Sequence, residues 1–311
     1  MSDRPVLVVG SALDPHVSAV AEGIADKGVE AVVVDGLEFP ASPRITLGET
    51  LDSITVDDRP LDRIAAIYVR DIYSHPLSYG VDVAAEMEQD WHRTLVAYRE
   101  KAHMLFGLLS RWSQMGIPVY NPRDTEWLQP KPVQIAVLEQ AGLPVPETVW
   151  TNDPDVVQRF AQGRRVIYKP IAGGAATREL GPEDLTTQRL RALAGAPVTF
   201  QELLEGDNYR VYCIDGEAVA SFRIVASSID FRQNEEIVEQ WDAPPHVVDQ
   251  CVKATEVLGL RWGGIDLRAG ADGALRFLEV NSSPMFLGFD ARGGTNILGA
   301  LVDHLVAHAG D

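Results

Sequence analysis

The stretch that decides the fold is Leu260–Gly288, which reads LRWGGIDLRAGADGALRFLEVNSSPMFLG. Two apolar runs, Arg261–Arg268 and Leu275–Val280, flank the dipeptide Asp272-Gly273. Aspartate followed by glycine between two such runs is a strong local signal for a tight β-hairpin. The stretch therefore predicts two antiparallel strands joined at these two residues.

The register of this hairpin brings two carboxylates together. Counting outward from the loop pairs Ala271 with Ala274, and then Asp266 with Glu279. Asn281 shares a face with Glu279, because side chains alternate between the two faces of a strand. Carboxylates directly opposite each other are destabilising unless a cation lies between them, and oxygen ligands suit Mg²⁺ or Mn²⁺. We therefore predict a metal site here; a pair of acids at the wet end of a sheet is the alternative.

The same residues resemble the metal-binding segment of ATP-grasp ligases. The resemblance rests on Gly264–Leu267 (GIDL) and Phe277–Pro284 (FLEVNSSP). The RimK-type branch and the graspetide ligases, which crosslink peptides through ester or amide bonds, are the nearest branches. The resemblance implies that Asp266, Glu279 and Asn281 hold magnesium between the β- and γ-phosphates of ATP.

Composition limits the class of protein. The 311 residues are 46% hydrophobic and carry a formal net charge of −18, which argues against a nucleic-acid partner. The two cysteines, Cys213 and Cys251, are too few for a disulfide framework. We identify no apolar run of transmembrane length, and residues 1–10 begin a strand rather than a signal peptide. We expect a cytoplasmic protein without a membrane partner, and we leave a homo-oligomer open.

The N-terminal part has the pattern of an open parallel sheet. A strand at Pro5–Val9, a helix after Asp14 and a strand at Ala31–Val34 follow one another. The motif G-x-G-x-x-G is absent after the first strand, so a dinucleotide site is disfavoured. Residues 40–62 are predicted to be an irregular loop, and residues 82–114 to be helical with a break near Gly107.

Arg70 ends the next predicted strand of this sheet, Ala65–Arg70. Ligands of open α/β sheets gather at the carboxyl ends of the strands. Arg70 is therefore a candidate for binding a substrate carboxylate. An ion pair with the neighbouring Asp71 is an equally good interpretation.

Two lysines have positions that suit phosphate binding. Lys131 begins a helix, where its charge opposes the helix dipole, and the resemblance assigns it to the phosphates. Lys169 ends the strand Arg165–Lys169 and precedes a loop of small residues, Pro170–Arg178. Backbone N–H groups of such a loop can fold over phosphates, although a flexible surface hairpin is the alternative.

A hinge between two subdomains follows. Val198–Leu204 resembles the family's interdomain hinge, which implies that Glu202 and Leu204 meet the adenine. Asp207 is then the ribose ligand, with Glu205 as its rival.

A second predicted hairpin, around Asp215-Gly216, carries two arginines. Counting outward pairs Arg210 with Ser221 and places Arg223 on the same face. Two arginines on one sheet face without an opposing acid need an anion, so we predict both as phosphate or acyl-phosphate ligands that act with Lys169. Asn208 stands where the family has aspartate, which leaves its role open. Ser283 is a further candidate for substrate binding.

Together these patterns predict mixed α/β and α+β architecture. We expect a pre-ATP-grasp open α/β domain over residues 1–122 and an ATP-grasp fold over 123–311, with a small lid subdomain at about 150–206. The cofactors implied are ATP and Mg²⁺ (or Mn²⁺).

The resemblance implies an ATP-dependent carboxylate–amine ligase. It would act through an acyl phosphate and release ADP and phosphate. The substrates would be a small carboxylate and an amine, or a peptide. The alternatives are a graspetide-type ligase that crosslinks peptide side chains and a non-catalytic protein that senses ATP.

Overall fold

The computed structural model describes residues 4–73, 82–121, 129–172, 176–226 and 235–310. Over these ranges the chain forms four β-sheets and eight α-helices. The predicted boundary between residues 122 and 123 falls in segment 122–128, outside the described residues. Within the described residues, no helix has the length and apolar character needed to cross a membrane.

The first part of the chain builds a parallel sheet. In chain order its elements are β1 (Val6–Gly10), α1 (Pro15–Asp26), β2 (Ala31–Asp35), β3 (Ile45–Leu47), β4 (Ile54–Val56), β5 (Arg59–Pro60), β6 (Ala66–Val69), α2 (Val83–Gln114) and β7 (Val119–Tyr120). The strand order is β2-β1-β6-β7, with parallel pairing throughout. Asp14 caps α1 by accepting a hydrogen bond from the His16 amide. The predicted open parallel sheet is confirmed.

Two predictions for this part are wrong. Residues 45–60 are not an irregular loop, because β3, β4 and β5 pair into a small antiparallel sheet; strands of three residues or fewer are too short to show a hydrophobic period. The backbone of α2 leaves helical geometry at Asp90, not near Gly107. The Asp90 side chain accepts from the Arg93 amide, and so caps the helix that resumes there.

The second part builds two antiparallel sheets. Its elements are α3 (Lys131–Gln140), β8 (Thr148–Thr151), α4 (Pro154–Phe160), β9 (Val166–Lys169), β10 (Arg178–Glu179), α5 (Thr187–Leu190), β11 (Val198–Glu202), β12 (Asn208–Ile214), β13 (Glu217–Ala226), β14 (Glu235–Gln240), α6 (Pro245–Val257), β15 (Trp262–Ala269), β16 (Leu275–Asn281), α7 (Leu287–Gly293) and α8 (Ile297–Ala307). The smaller sheet, in the order β10-β9-β11-β8, is called the lid sheet below. The larger one, in the order β14-β13-β12-β15-β16, is called the main sheet.

The hairpin of β15 and β16 keeps the predicted pairing of Asp266 with Glu279 by an unpredicted route. Its turn is one residue longer than expected, because Gly270, not Ala271, bonds to Ala274. A bulge beside Asp266 then shifts the register by one residue and restores the pair. The two departures cancel, so both carboxylates lie on the same face.

The hairpin of β12 and β13 departs from the predicted register without compensation. A bulge between Tyr212 and Cys213 pairs Arg210 with Phe222, and Arg223 with Tyr209. Since directly paired residues share a face and neighbours alternate, Arg210 and Arg223 lie on opposite faces. The prediction that they share a face is wrong.

The largest core cluster joins the two ends of the described chain. Buried residues of β1 and α1, such as Val6 and Val20, pack with Leu301 and Leu305 of α8 and with Trp262 of the main sheet. Helix α8 therefore shares a core with the N-terminal sheet, although it follows the ATP-grasp elements in sequence. Separate clusters lie between that sheet and α2, between the main sheet and α3 and α6, and behind the lid sheet.

Candidate active site

A cavity of about 720 Å³ opens between the lid sheet and the main sheet. Eight of the predicted site residues line it: Lys131, Lys169, Glu202, Leu204, Arg210, Asp266, Glu279 and Asn281. They come from α3, from both sheets and from the hinge between the sheets. The fold thus gathers residues that are far apart in sequence around one volume.

Asp266 and Arg210 form a buried ion pair at the floor of the cavity. Arg210 donates from Nε and Nη2 to the two Asp266 carboxylate oxygens at 2.6 and 2.7 Å, and both residues are under 10% exposed. Burial raises the pKa of Asp266, the Glu279 charge adds to that shift, and Arg210 opposes it. Our expectation that Arg210 has no opposing acid is wrong, because Asp266 is its directly paired neighbour on β15.

The charge of Glu279 is neutralised by Lys131 of α3. The Lys131 ammonium lies 2.6 Å from its carboxylate. Burial alone would raise the pKa of Glu279, but Lys131, Lys169 and Arg210 lower it further than burial raises it. Glu279 is therefore ionised at neutral pH, with three cations around it.

Asn281 completes a set of three oxygen donors. It shares the face of Glu279 on β16 and pairs opposite Gly264, and its Oδ1 accepts from the Ser283 amide at 3.0 Å. No cluster of three or more His, Cys, Asp or Glu side chains suited to a metal occurs among the described residues. The set is two carboxylates and an amide, and this chemistry fits a hard cation such as Mg²⁺ or Mn²⁺.

Lys169 projects from the end of β9 in the lid sheet. Its Nζ donates to Gln201 Oε1 at 3.2 Å, and Gln201 in turn donates to the Thr148 hydroxyl. The lid sheet thereby holds a lysine above the cavity, opposite the carboxylates of the main sheet. The predicted phosphate-binding loop after Lys169 includes residues 173–175, which lie outside the described ranges.

Leu204 of the hinge forms part of an apolar wall of the cavity. Leu204 lines the cavity together with Ile167 and Leu278, a combination that suits a flat, apolar ring such as adenine. The Glu202 carboxylate accepts from the Glu147 amide, which ties the hinge to the loop before β8.

Three of the predicted nucleotide ligands do not line this cavity. Arg223 binds Asp207 at 2.8 Å through Nε and Glu239 at 3.1 Å through Nη1, on the face opposite Arg210. Glu205 forms an ion pair with Arg165. The roles of Asp207, Glu205 and Arg223 remain predictions that the geometry of this cavity does not support.

Arg70 and Ser283 meet each other across the two halves of the chain. Arg70 Nη1 donates to the Ser283 carbonyl at 2.6 Å and to its hydroxyl at 2.9 Å, and Nε donates to Asp14 at 2.7 Å. The alternative of an ion pair between Arg70 and Asp71 is wrong, since Asp14 is the partner. Neither Arg70 nor Ser283 lines the cavity, so their assignment to substrate remains a prediction.

Sequence reasoning missed several cavity residues, among them the buried His16. His16 Nε2 accepts from the Phe286 amide at 3.1 Å, so Nδ1 carries the proton and donates to Asp14 at 2.9 Å. Both ring nitrogens are engaged, which makes His16 a structural link and not a base. Asp14 is a local partner, two residues before His16, but the fold alone brings the Phe286 amide to the ring.

Helix α7 was also missed, and it brings an aromatic ring to the cavity. Two guanidinium groups pack against the Phe289 ring: the Cζ atoms of Arg210 and Arg292 lie 5.1 and 5.3 Å from its centroid. The sequence of α7 contains Gly288 and Gly293, a pattern typical of a turn-rich loop. Packing, and not helix propensity, sustains this short helix.

Residues 130–305 match the RimK-like ATP-grasp domain, so the chain belongs to that family. It is therefore an ATP-grasp ligase, and the predicted fold is confirmed.

Among solved structures, the ATP-grasp ligase PsnB complexed with a phosphomimetic variant of a minimal precursor, Mg and ADP is 46% identical. Its TM-score is 0.94, and the match covers 99% of this chain and 100% of PsnB. The macrocyclase MdnC from Microcystis aeruginosa MRC, bound with precursor peptide MdnA, is 22% identical with a TM-score of 0.80 over 97% of this chain and 99% of MdnC, which shows the fold alone. The complexes of PsnB with nucleotide and magnesium agree with the predicted cofactors, ATP and Mg²⁺.

Among curated proteins, a probable alpha-L-glutamate ligase of Xanthomonas campestris pv. campestris (strain B100) is 27% identical over 212 residues. The match covers 64% of this chain and 72% of that protein. A probable alpha-L-glutamate ligase of Rhodopirellula baltica (strain DSM 10527 / NCIMB 13988 / SH1) is 34% identical over 56% of this chain and 46% of its own length.

Proposed function

We propose that this chain is a peptide-modifying ligase that joins side chains of a precursor peptide through ester or amide bonds. The observation that carries the proposal is the 46% identity to PsnB over 99% of the chain. In that structure PsnB is complexed with a variant of a minimal precursor, Mg and ADP. The glutamate ligases match a smaller part of the chain at 25–34% identity. A peptide substrate is thus better supported than a free amino acid.

The proposed chemistry has two steps. A side-chain carboxylate of the peptide attacks the γ-phosphorus of ATP, the bond to ADP breaks, and an acyl phosphate forms. A hydroxyl or amine of the same peptide then attacks the acyl carbon, phosphate leaves, and one proton is released. PsnB is complexed with a phosphomimetic variant of a minimal precursor, Mg and ADP, and this is the combination expected after phosphoryl transfer to a peptide.

The residues of the cavity suit the first step. Asp266, Glu279 and Asn281 would hold Mg²⁺, which supplies positive charge to the phosphate oxygens. Lys131 and Lys169 approach the same volume from α3 and from the lid sheet. Fixed cations aimed at the transferring group stabilise the charge that develops there. Arg210 stays ionised through its pairing with Asp266 and lies in the same wall.

The chain itself needs no nucleophile in this scheme. Both cysteines are buried, and burial raises the pKa of each thiol. His16, the histidine that lines the cavity, uses both ring nitrogens in the fold. We propose that residues up to about 122 form a supporting N-terminal domain and that the lid spans about 150–206.

The test is release of ADP from Mg-ATP with hydroxylamine present. Precursor PsnA2 serves as the peptide probe, because PsnB binds it, and a pool of free amino acids is assayed in parallel. Hydroxylamine intercepts an acyl phosphate, so we expect ADP and a peptide hydroxamate. Without hydroxylamine, mass spectrometry should show the peptide lighter by one water for each bond.

Two variants define the controls. Glu279→Gln should lower turnover about 100-fold or more, because an amide replaces a charged group of the site, while Glu256→Gln on the exposed face of α6 should leave turnover unchanged. Hydroxamates from free amino acids alone would replace the peptide proposal with a small-molecule ligase. Binding of Mg-ATP without release of ADP in the presence of either substrate would favour the non-catalytic alternative.

A further inference from the structure

Gln134 forms an unusual contact with the edge of the main sheet. Its side chain is 2% exposed. Oε1 accepts from the Val280 amide at 2.8 Å, and Nε2 donates to the Val280 carbonyl at 2.9 Å. The side-chain amide thus makes both hydrogen bonds that a neighbouring strand would make. Strand β16 is the edge of the sheet at this side.

The position of this contact relates it to the cavity. Val280 lies between Glu279 and Asn281, two of the three proposed metal ligands. Lys131 begins the same helix as Gln134, three residues earlier, and contacts Glu279 at 2.6 Å. Residues three apart lie on the same side of a helix, so α3 meets β16 through two successive contacts.

The bulge in the hairpin explains why β16 needs this support. Before the bulge, the Phe277 amide donates to the Pro144 carbonyl, which fixes the edge strand there. The register then shifts by one residue, between the pair Leu267–Phe277 and the pair Asp266–Glu279. Beyond the shift, on the outer edge of the strand, Gln134 fixes the backbone at Val280.

We propose that Gln134 is a positioning residue of the metal centre. By holding both backbone groups of Val280, it sets the direction of the flanking Glu279 and Asn281 side chains toward Asp266, and it fixes α3 so that Lys131 meets Glu279. This inference rests on the metal site of the proposed function. It does not depend on which substrate the enzyme joins.

The expected effect is on affinity for the cation. Groups that orient metal ligands through hydrogen bonds typically change metal affinity by about 10–100-fold when they are removed. Gln134→Met keeps the length of the side chain and removes both hydrogen bonds. Gln134→Glu keeps an acceptor for the Val280 amide and removes the donor to the Val280 carbonyl. The matched control is Gln140→Met, an exposed position on the same helix.

The measurement is Mn²⁺ binding to the full chain with ADP, followed by electron paramagnetic resonance of the free ion. No peptide is present, so a failure of the peptide proposal leaves this result intact. We expect Gln134→Met to weaken Mn²⁺ binding about 10–100-fold, Gln134→Glu to weaken it less, and Gln140→Met to match the wild type. Thermal unfolding of each variant, recorded in the same buffer, shows that it is folded.

Two results would overturn the inference. One is Mn²⁺ affinity within about twofold of the wild type in a folded Gln134→Met or Gln134→Glu protein. A lower melting temperature with unchanged Mn²⁺ affinity would mean that Gln134 supports the fold and does not position the metal ligands. The other is a wild-type chain that binds no Mn²⁺ in the presence of ADP. If Gln134→Met does not fold, the Mn²⁺ affinity of Gln134→Glu alone tests the inference.

Discussion

At the scale of single residues, local periodicity predicted the carboxylates of the cavity but not the cations that pair with them. Strand alternation and one turn signal, which are properties of neighbouring residues, predict Asp266, Glu279 and Asn281 on one face. That placement holds because the longer turn and the bulge offset each other. Arg210 was expected to need a bound anion, yet Asp266 already neutralises it. That pairing depends on the strand order of the main sheet, which no local pattern encodes.

Arg70 shows the same limit over a longer distance. Its partners are Asp14, which is 56 positions away, and Ser283, which is 213 positions away. Sequence reasoning placed Arg70 correctly at the end of a strand. It could not show that another part of the chain already occupies the guanidinium.

His16 makes the stability of the protein depend on pH. In the folded chain burial lowers the pKa of His16 below its ordinary 6.5, although Asp14 opposes the shift. The unfolded chain therefore takes up this proton at a higher pH than the folded chain. As the pH falls below 6.5 and until it passes the folded pKa, the free energy of unfolding should decrease by up to about 1.4 kcal/mol per pH unit from this group.

The measurement is urea unfolding at a series of pH values between neutral and mildly acidic. His16→Gln keeps an acceptor for the Phe286 amide but does not titrate, so its stability should fall less steeply than that of the wild type. His246→Gln, at an exposed position, should follow the wild-type slope. Equal slopes for all three proteins would show that His16 is not the titrating group.

At the scale of elements, those with a clear hydrophobic pattern were predicted well, and those fixed by contacts with other elements were not. The strands β1, β2 and β9 lie within one residue of their predicted bounds, and α3 begins at the predicted Lys131. The sheet of β3, β4 and β5, the helix α7 and both bulges were missed. Each of these is set by contacts with other elements, because so few residues carry little propensity of their own.

The turn of the hairpin of β15 and β16 depends on one glycine. Gly273 has a φ of +75°, and an added Cβ would meet no atom within 4 Å. Only the backbone conformation, and not the space, therefore opposes a side chain there. Gly273→Ala should lower the free energy of unfolding by about 1–2 kcal/mol.

Denaturant unfolding tests this, with Gly195→Ala as the control. Gly195 has a φ of −83°, and a Cβ there would make an ordinary contact at 3.4 Å. Its replacement should leave stability unchanged or slightly higher. Equal loss in both variants would mean that the turn conformation is not what Gly273 supplies.

At the scale of the whole molecule, the sequence indicated the order of the parts but not how they share a core. The N-terminal sheet belongs to the domain predicted over residues 1–122, and it shares its core with α8. Helix α8 packs against α1 so closely that a Cβ at Gly23 would lie 2.8 Å from Val302. Hydrophobic periodicity identifies the apolar face of α8, but not the surface that covers it.

A fragment ending at Asn121 should therefore fail to fold. It lacks α8, so the apolar side chains of β1 and α1, among them Val6 and Val20, would face water. We expect no cooperative thermal transition, together with binding of a hydrophobic dye. The same fragment joined to residues 295–310 by a flexible linker should regain a transition. A cooperative transition of the bare fragment would show that the N-terminal sheet is independent.

The shared core has a consequence for how the protein is made. Ribosomes extend a chain from its N-terminus, so β1 and α1 emerge long before α8 is synthesised. Throughout that interval the nascent chain carries an incomplete apolar surface, which is the kind of surface that chaperones bind. Because α8 follows β15, β16 and α7, the N-terminal core closes only after every described strand of both later sheets has been translated.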